Sequence, residues 1–256
     1  MCGVIGLVYE NHHPTLGLVA AELLRTLEYR GYDSTGAAIQ GPGEEVALRK
    51  GVGAPSLMVH ELGIVDLAGS VLCGQVRWAT FGAVTEKNSQ PHVVRCKRYL
   101  YGAHNGNVTN CDDLKRWLVA QGHDVLSDND GEMVVHTVEH CFALALDREA
   151  REAGEAGGAA AERDPALRRR AMRAAIVDAA ARLQGSYAAV IVDPLTKTLW
   201  AIKQGSSLYF GFGPGDGPGG RFAIASSDLS AVLRLSRVLL PLRSEERRVG
   251  KVSSPV

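Results

Sequence analysis

The sequence predicts an α+β protein in which antiparallel-rich sheets are covered by helices. Short apolar stretches typical of strands are separated by turn-forming residues, so that neighbouring strands can pair with each other. The helical patterns occur in pairs instead of alternating regularly with strands, which argues against a doubly wound parallel sheet. The chain has 256 residues, of which 46% are hydrophobic and 22% charged, and this suffices for a sizeable core.

The first half of the chain opens on an apolar strand, followed by an amphipathic helix that Pro14 introduces. Apolar side chains recur in this helix at helical spacing, from Leu16 to Leu27. A turn-rich stretch covers residues 29–34, and a polar loop covers residues 79–91. Strands are predicted at residues 4–9, 37–40, 46–49, 71–78 and 99–103, with further helices at 54–62, 112–121 and 131–146.

Residues 147–170 differ from the rest of the chain in composition. Acidic residues and arginines alternate there among alanines and a Gly157-Gly158 pair, without apolar periodicity. This composition predicts an exposed, partly mobile insertion. Beyond it, strands are predicted at residues 187–192, 199–203, 208–210 and 222–225, helices at 171–183 and 229–235, and a Gly/Pro loop at 211–220.

Composition excludes several classes of partner. The formal net charge is zero and the isoelectric point is about 7.1, so neither nucleic acid nor an anionic membrane is expected as a partner. No apolar run approaches the roughly 20 residues of a membrane-spanning helix, and no signal peptide is recognisable. The five cysteines are scattered without a C-x-x-C pair, which predicts reduced thiols in a cytoplasmic protein.

Cys2 is the first candidate for catalysis. If Met1 is removed, the new terminal residue carries both a thiol and an α-amine whose ordinary pKa is about 7.7–8.0. The amine can then take the proton of the thiol near neutral pH, so one residue supplies both nucleophile and base. The alternative is a small buried thiol at the start of a strand.

Two further motifs stand where predicted strands end. Arg77, with Trp78 and Thr80 beside it, could grip a carboxylate through a bidentate guanidinium, or it could be an ordinary surface arginine. Asn105 and Gly106 could aim an amide and a backbone N–H at one oxygen, as an oxyanion hole requires. The same pair could equally be a plain Asn-Gly turn.

Three polar patterns remain ambiguous from the residues alone. Asp128 or Asp130 could cap the helix that follows, or one of them could hold the ammonium group of a ligand. The segment from His136 to His140 spells H-x-x-E-H, a zinc-metallopeptidase signature, but no downstream motif supplies a third ligand, so no metal is predicted. A G-x-G-x-x-G pattern at 215–220 leads into a strand and is interpreted as a flexible turn.

Taken together, these motifs resemble class II glutamine amidotransferase domains, a family of N-terminal-nucleophile hydrolases. The resemblance covers roughly residues 2–242 and is strongest to the glutaminase domains of isomerising aminosugar synthases. It rests on several strings in the expected order: Cys2-Gly3-Val4-Ile5-Gly6, Leu27-Glu28-Tyr29-Arg30-Gly31-Tyr32-Asp33-Ser34, Arg77-Trp78-Ala79-Thr80, Asn105-Gly106, Asp130, Leu183-Gln184-Gly185-Ser186-Tyr187-Ala188, Lys203-Gln204-Gly205-Ser206-Ser207-Leu208 and Ala225-Ser226-Ser227-Asp228.

The resemblance implies a four-layer αββα sandwich of two antiparallel sheets and hydrolysis of L-glutamine without a cofactor. It also implies a role for each site residue: Cys2 attacks the side-chain amide, and Asn105 and Gly106 stabilise the oxyanion. Arg77 would bind the substrate α-carboxylate and Asp130 the α-ammonium. Trp78 and Thr80 would line the pocket.

The sequence also departs from that family. Phe81 stands where the aminosugar synthases usually carry histidine, residues 88–92 are a variant of the family's loop, and the insertion at 147–170 is longer than usual. Nothing in the sequence corresponds to the sugar-isomerase domains, which aminate fructose 6-phosphate in this family. The resemblance implies that the full-length enzyme is a homodimer. Residues 243–256 are therefore interpreted as a disordered tail outside the family, after a truncation.

Two alternatives remain open at this stage. The domain could feed ammonia to another acceptor, such as phosphoribosyl pyrophosphate or aspartate. It could also be a non-catalytic fragment that binds glutamine or a partner without turnover.

Overall fold

A computed structural model describes residues 2–80, 82–152 and 162–240, together with the backbone of residues 251–252. Phe81 lies outside the described residues, as do the middle of the predicted insertion and all but two residues of the predicted tail. Within this part of the chain, no helix combines the length and apolarity that a membrane crossing requires.

The elements alternate between runs of strands and runs of helices. The helices are α1 Leu16–Thr26, α2 Pro55–Glu61, α3 Cys111–Ala120, α4 Asp130–Glu152, α5 Pro165–Arg182 and α6 Leu229–Leu235. The strands are β1 Gly3–His13, β2 Ser34–Gln40, β3 Val46–Val52, β4 Gly69–Arg77, β5 His92–Val94, β6 Leu100–Val108, β7 Gly185–Asp193, β8 Thr198–Gln204, β9 Tyr209–Gly213, β10 Phe222–Ser226, β11 Val238–Leu240 and β12 Lys251–Val252.

The strands form two sheets in which every pairing is antiparallel. The seven-stranded sheet has the order β11-β9-β10-β1-β4-β2-β3, and the five-stranded sheet has the order β12-β8-β7-β6-β5. β1 is therefore a central strand, paired with β4 on one side and with β10 on the other.

The sheets are stacked face to face with helices on both outer faces. The alternation of side chains along β1 illustrates the arrangement, since Val4 and Val8 lie in the core between the sheets whereas Ile5 and Leu7 face α1. Helices α1, α2 and α6 cover the seven-stranded sheet, and α3, α4 and α5 cover the five-stranded sheet. The predicted four-layer αββα sandwich is confirmed.

Residues 147–170 were predicted as an exposed, partly mobile insertion, and the described parts at both ends of this segment are mainly helical. α4 continues to Glu152, and α5 begins at Pro165 behind Asp164, whose carboxylate accepts a hydrogen bond from the Ala166 N–H. Arg168 of α5 is buried, and it forms a bidentate ion pair with Asp193 at the end of β7. Alanine and arginine both have high helix propensity, which is consistent with the helical ends of this segment. One of the arginines, Arg168, lies in the interior of the protein.

Smaller differences concern strand boundaries. β5 was not predicted because its three residues follow directly on the polar loop. β9 continues to Gly213, into the predicted Gly/Pro loop, where Gly211 packs without a side chain against α6.

Candidate active site

Cys2 lies immediately before β1, at the end of the sheet where β4 also terminates. Its Sγ is 3.4 Å from both the backbone nitrogen and the carbonyl oxygen of Trp78. Pairing of Gly3 with Val76 in the β1–β4 ladder sets this position. The predicted nucleophile and the predicted Arg77-Trp78 motif are therefore adjacent.

A hydrogen-bonded frame holds the beginning of β1. The Val4 N–H donates to Ser227 Oγ at 3.0 Å, and the Val4 carbonyl accepts from the Ser227 N–H at 3.1 Å. The Arg30 guanidinium donates to the Cys2 carbonyl at 3.0 Å and to the Asp228 carboxylate at 2.7 Å. Position 2 is thus tied to the segment after β10, where sheet pairing has already ended.

The Asp228 carboxylate is the centre of this frame. It accepts hydrogen bonds from the Tyr29 hydroxyl, from Arg30 and from the backbone and side chain of Ser230. Burial raises its pKa, but the hydrogen bonds from Ser230, Tyr29 and Arg30 outweigh burial and lower the pKa to about 2. Asp228 is therefore charged near neutral pH and can hold Arg30 beside Cys2.

The turn at residues 31–33 holds the end of β4. A Cβ on Gly31 would lie 2.4 Å from the backbone carbon of Arg77, so only glycine permits this approach. The Asp33 N–H donates to the Arg77 carbonyl at 3.0 Å, and the Asp33 carboxylate accepts from the Ala79 N–H at 2.8 Å. The chain on both sides of Trp78 is thereby fixed next to Cys2.

Arg77 is a buried residue and not the surface arginine of the alternative interpretation. Its guanidinium donates to the carbonyl oxygens of Ala83 and Gly82 at 3.0 and 3.2 Å. Asn88 donates to the same Ala83 carbonyl and accepts from the Asp128 N–H. The polar loop after β4 is thus folded over Arg77 and joined to the segment that precedes α4.

Asp130 is buried at the first position of α4. Its carboxylate accepts hydrogen bonds from the Val108 N–H at 3.0 Å and contacts His104 Nε2 at 3.1 Å. Burial raises the pKa of Asp130, but His104 and the Val108 N–H reverse this, so the pKa lies below its ordinary value. Asp128, the other candidate, is exposed and pairs with Lys115.

Asn105 and Gly106 lie on β6 between His104 and Val108, the two residues that contact Asp130. They are not a hairpin turn but part of a strand, with Gly106 opposite Tyr187 of β7. Gly106 has a φ of 122°, and a Cβ there would lie 2.2 Å from the Ser186 carbonyl oxygen. Glycine is therefore required at position 106. The alternative of a plain Asn-Gly turn is wrong, because both residues belong to β6.

Both Arg77 and Asp130 influence the pKa of the Cys2 thiol. Burial raises the pKa of the Cys2 thiol, whereas the hydrogen bond from Trp78 lowers it. The Asp130 carboxylate adds to the increase and the Arg77 guanidinium opposes it, so both charges lie close enough to act on the sulfur. A thiol, a buried cation and a buried anion therefore share one region.

Trp78 and Thr80 border this region on the solvent side. Trp78 is 42% exposed, and its ring packs edge-on against Tyr32 with ring centroids 5.3 Å apart. Thr80 is also exposed. The Trp78 backbone contacts Cys2 Sγ, and the role of both side chains in lining a pocket stays a prediction.

A groove of about 550 Å³ opens elsewhere, beside Leu229 of α6. None of the predicted site residues lines this groove. Among the described residues that line it, only Lys203 and Tyr209 have ionisable side chains. The predicted site residues lie instead around Cys2, where Arg77 supplies a buried cation and Asp130 a buried anion.

Comparisons with known proteins place this geometry in a family context. Glutamine–fructose-6-phosphate aminotransferase (isomerizing) of Photorhabdus laumondii is 31% identical over 254 residues, which are 99% of this chain and 36% of the relative. The enzyme of the same name from Pyrococcus horikoshii is 31% identical over 240 residues, or 93% of this chain and 34% of the relative. The chain thus spans about a third of the length of these curated relatives. No family model matches the chain.

Among solved structures, the glutamine phosphoribosylpyrophosphate amidotransferase of B. subtilis complexed with ADP and GMP superposes with a TM-score of 0.66. The superposition covers 93% of this chain and 44% of that enzyme, at 21% sequence identity. The chain has a class II glutamine amidotransferase fold. The resemblance inferred from the motifs is confirmed.

In this amidotransferase fold, two positioning residues escaped the sequence analysis. Arg30 and Asp228 both stand in strings that carried the resemblance, but no role was assigned to either. Their function as a frame for Cys2 depends on a contact across 198 positions of sequence, which no local pattern reveals. The sequence offered one signal for this pair: Arg30 and Asp228 have opposite charges and lie in two of the strings that carry the family resemblance.

Proposed function

We propose that this chain is the glutamine-hydrolysing domain of an amidotransferase, with Cys2 as the nucleophile. The observation that carries the proposal is the position of the Cys2 thiol against the Trp78 backbone, within electrostatic range of Arg77 and Asp130. Glutamine has an α-carboxylate, an α-ammonium and a reactive side-chain amide. The site offers one matching group for each of these three.

The proposed reaction begins after Met1 is removed. The free α-amine of Cys2 takes the thiol proton, and the thiolate attacks the side-chain carbonyl carbon of glutamine. When the tetrahedral intermediate collapses, the C–N bond breaks and the nitrogen leaves as ammonia with the proton that the amine returns. Water then attacks the γ-glutamyl thioester, which releases glutamate and restores the thiol.

The local environment explains why a base is needed. Burial raises the pKa of the Cys2 thiol, so the thiolate is scarce near neutral pH without a proton acceptor. An α-amine has an ordinary pKa of about 7.7–8.0 and lies on the same residue, so it is a suitable acceptor.

The remaining roles follow from the charges and donors of the site. We assign the substrate α-carboxylate to Arg77, which the carbonyl oxygens of Gly82 and Ala83 hold in place. The α-ammonium is assigned to Asp130, whose lowered pKa keeps it anionic. Asn105 and Gly106 are assigned to the oxyanion, since the positive φ of Gly106 changes the direction of the neighbouring peptide groups. Trp78 and Thr80 line the pocket.

Fructose 6-phosphate is the proposed acceptor of the ammonia. Support comes from the curated relatives, whose name specifies this substrate and which match 93–99% of the chain. We propose that residues 2–242 form the glutaminase domain and that amination takes place in a part of the enzyme outside it. Phosphoribosyl pyrophosphate is less favoured, because the similarity to that amidotransferase is one of fold.

The decisive experiment combines the mass of the mature protein with a glutaminase assay. We expect loss of Met1 and release of glutamate that disappears in Cys2→Ala, while the control Cys111→Ala keeps its rate. Glutamate release that persists in Cys2→Ala contradicts the proposal. Tight glutamine binding without any turnover in the mature wild-type protein would instead support the non-catalytic alternative.

A further inference from the structure

A second cluster of reactive side chains lies outside the proposed active site. Cys96 follows β5, His123 follows α3, and His136 and Glu139 lie on α4. One ligand atom from each of these four residues lies within 4.8 Å of the ligand atoms of the other three. Both histidines and the glutamate are buried, and Cys96 is partly exposed.

Three of the four atoms already have the spacing of metal ligands. His123 Nδ1 and His136 Nδ1 are 3.2 Å apart, and Glu139 Oε2 is 3.1 and 3.0 Å from them. Zinc–nitrogen distances of about 2.0–2.1 Å place tetrahedral ligands roughly 3.3–3.4 Å apart. The four ligand atoms lie within 4.8 Å of one another, so the longest separation has to shorten by at most about 1.3 Å to match a tetrahedral edge that includes sulfur.

Hydrogen bonding alone does not satisfy this triangle. Glu139 Oε2 accepts only, so a hydrogen bond along each of its two edges requires a proton on both Nδ1 atoms. The remaining edge, between His123 Nδ1 and His136 Nδ1, requires a proton on one of them and a lone pair on the other. With an ionised Glu139, the three edges therefore cannot all be hydrogen bonds: two donors to Oε2 leave two N–H groups facing each other at 3.2 Å. A cation at the centre resolves the conflict, because all three atoms then present lone pairs to it.

The groups around the triangle orient these lone pairs inward. Glu139 Oε1 accepts from the backbone N–H groups of Lys97 and Arg98 at 2.6 and 3.0 Å, which leaves Oε2 for the cluster. His123 Nε2 lies 3.0 Å from His140 Nδ1. Such outer contacts orient the histidine ligands of metal sites.

The other ring nitrogen of His136 has a carboxylate partner. Nε2 is 3.6 Å from Glu132, whose carboxylate accepts hydrogen bonds from the backbone and side chain of Ser127. A carboxylate behind a histidine is the common outer partner of a zinc ligand. At the fourth corner, the Asp124 N–H donates to Cys96 Sγ at 3.3 Å, which suits a thiolate.

We propose that Cys96, His123, His136 and Glu139 bind one divalent transition-metal ion, for which zinc is the best fit. Thiolate, imidazole and carboxylate together form a zinc donor set, and four protein ligands close the site, so the ion is structural and not catalytic. The H-x-x-E-H pattern therefore acts differently from the peptidase signature. Glu139 is a ligand and His140 is not, and the two missing ligands come from Cys96 and His123. The expectation of no metal is revised by this proposal.

The ion would connect three separate segments. Cys96 lies between β5 and β6, His123 lies in the segment that leads to Asp130, and the other two ligands belong to α4. Removal of the metal is therefore expected to lower thermal stability, and zinc should restore it. This expectation does not depend on glutamine hydrolysis.

The experiment uses untagged protein that has been stripped by a chelator, dialysed and titrated with zinc or cobalt. We expect saturation at about one ion per chain, and the cobalt form should show a thiolate-to-metal charge-transfer band in the near ultraviolet. In Cys96→Ser this band should disappear, and in His123→Asn and His136→Asn bound zinc should fall well below half an ion per chain. The matched controls Cys111→Ser and His12→Asn should bind like the wild type.

Two results would overturn the proposal. One is the absence of saturable binding in the stripped wild-type protein. The other is a cobalt complex without a thiolate band, since it removes Cys96 from the ligand set. Both measurements use the unmodified chain, so they hold whether or not a variant folds.

Discussion

Arg30 and Asp228 form a partly buried ion pair of 2.7 Å that also reaches the Cys2 carbonyl. Arg30 comes from the short 3₁₀ turn after α1, and Asp228 caps α6 by accepting from the Ser230 N–H. The pair thereby joins the helical layer on the seven-stranded sheet to the residue that we propose as the nucleophile. It is a positioning device, since neither side chain is assigned a contact with substrate.

Replacing Arg30 with methionine tests this device. We expect the glutaminase kcat to fall by about 100-fold, because a shift of the nucleophile by about 1 Å costs a reaction that much. Some loss of thermal stability is also expected, because Asp228 loses its cation partner, although Tyr29 and Ser230 still donate to the carboxylate, so kcat is compared well below the melting temperature of both proteins. Arg95→Met is the matched control, because the Arg95–Glu45 pair is exposed and worth about 0–1 kcal/mol. An Arg30→Met enzyme with wild-type kcat would remove the positioning role.

Gly106→Ala tests the conformation of the proposed oxyanion hole. The new Cβ meets the Ser186 carbonyl oxygen at 2.2 Å in a backbone conformation of positive φ, so β6 and β7 must separate locally. We expect a loss of about 1–3 kcal/mol in the free energy of unfolding, together with a collapse of glutaminase activity. Gly41→Ala is the control, since a Cβ there would meet no atom of the described residues within 4 Å. Equal denaturant midpoints for the two variants would contradict this account.

Arg168→Met tests the buried end of the segment that was predicted to be exposed. Arg168 and Asp193 are each 2% exposed and share two hydrogen bonds of 2.8 Å, so loss of one partner leaves a buried charge. We expect the free energy of unfolding to fall by about 3–5 kcal/mol. The neighbouring Arg170→Met should cost at most about 1 kcal/mol, because the side chain of Arg170 is 54% exposed. Urea denaturation of both variants measures the difference.

Glu132→Gln tests a pH dependence of stability. Burial raises the pKa of Glu132, but the contact with His136 and the hydrogen bonds from Ser127 and the Leu126 N–H outweigh it and lower the pKa to about 2. A carboxyl group whose pKa is depressed in the folded state stabilises that state above its ordinary pKa of about 4.3, and this stabilisation is lost as the pH falls toward 2.

The measurement is urea denaturation of wild type and Glu132→Gln at pH 6, 4 and 3, with chelator present. The stability difference between the two proteins should be largest at pH 6 and shrink at each lower pH. A difference that stays constant over this range would show that the Glu132 charge contributes nothing.

Most of the fold could be predicted because its strands and helices carry clear local patterns. The continuous apolar run at residues 4–9 predicts a strand, and the structure buries both of its faces, with Val4 and Val8 between the sheets and Ile5 and Leu7 against α1. The helical ends of the segment at 147–170 were not predicted, because apolar residues do not recur there at helical spacing. One of them, Arg168, is buried through an ion pair with Asp193, which stands 25 positions later.

The candidate site was predictable where one string contains the chemistry, as at Cys2, Arg77 and Asn105-Gly106. Partnerships across long separations were not. Asp228 stands 198 positions from Arg30, and Cys96 stands far from the histidines of α4. The H-x-x-E-H pattern predicts that any further metal ligand lies in a recognisable downstream motif, whereas the further ligands that we propose, Cys96 and His123, lie in two separate loops.

The central position of β1 has a consequence for the order of events during synthesis. Residue 2 is synthesised long before its partners, because Val4 contacts Ser227 across 223 positions of sequence and β10 is one of the two strands that pair with β1. The frame around the thiol therefore cannot close until nearly the whole domain has emerged. A nascent chain therefore carries Cys2 long before the frame around it can form, so under the proposed function glutaminase activity requires the synthesis of this domain through β10 and Ser227.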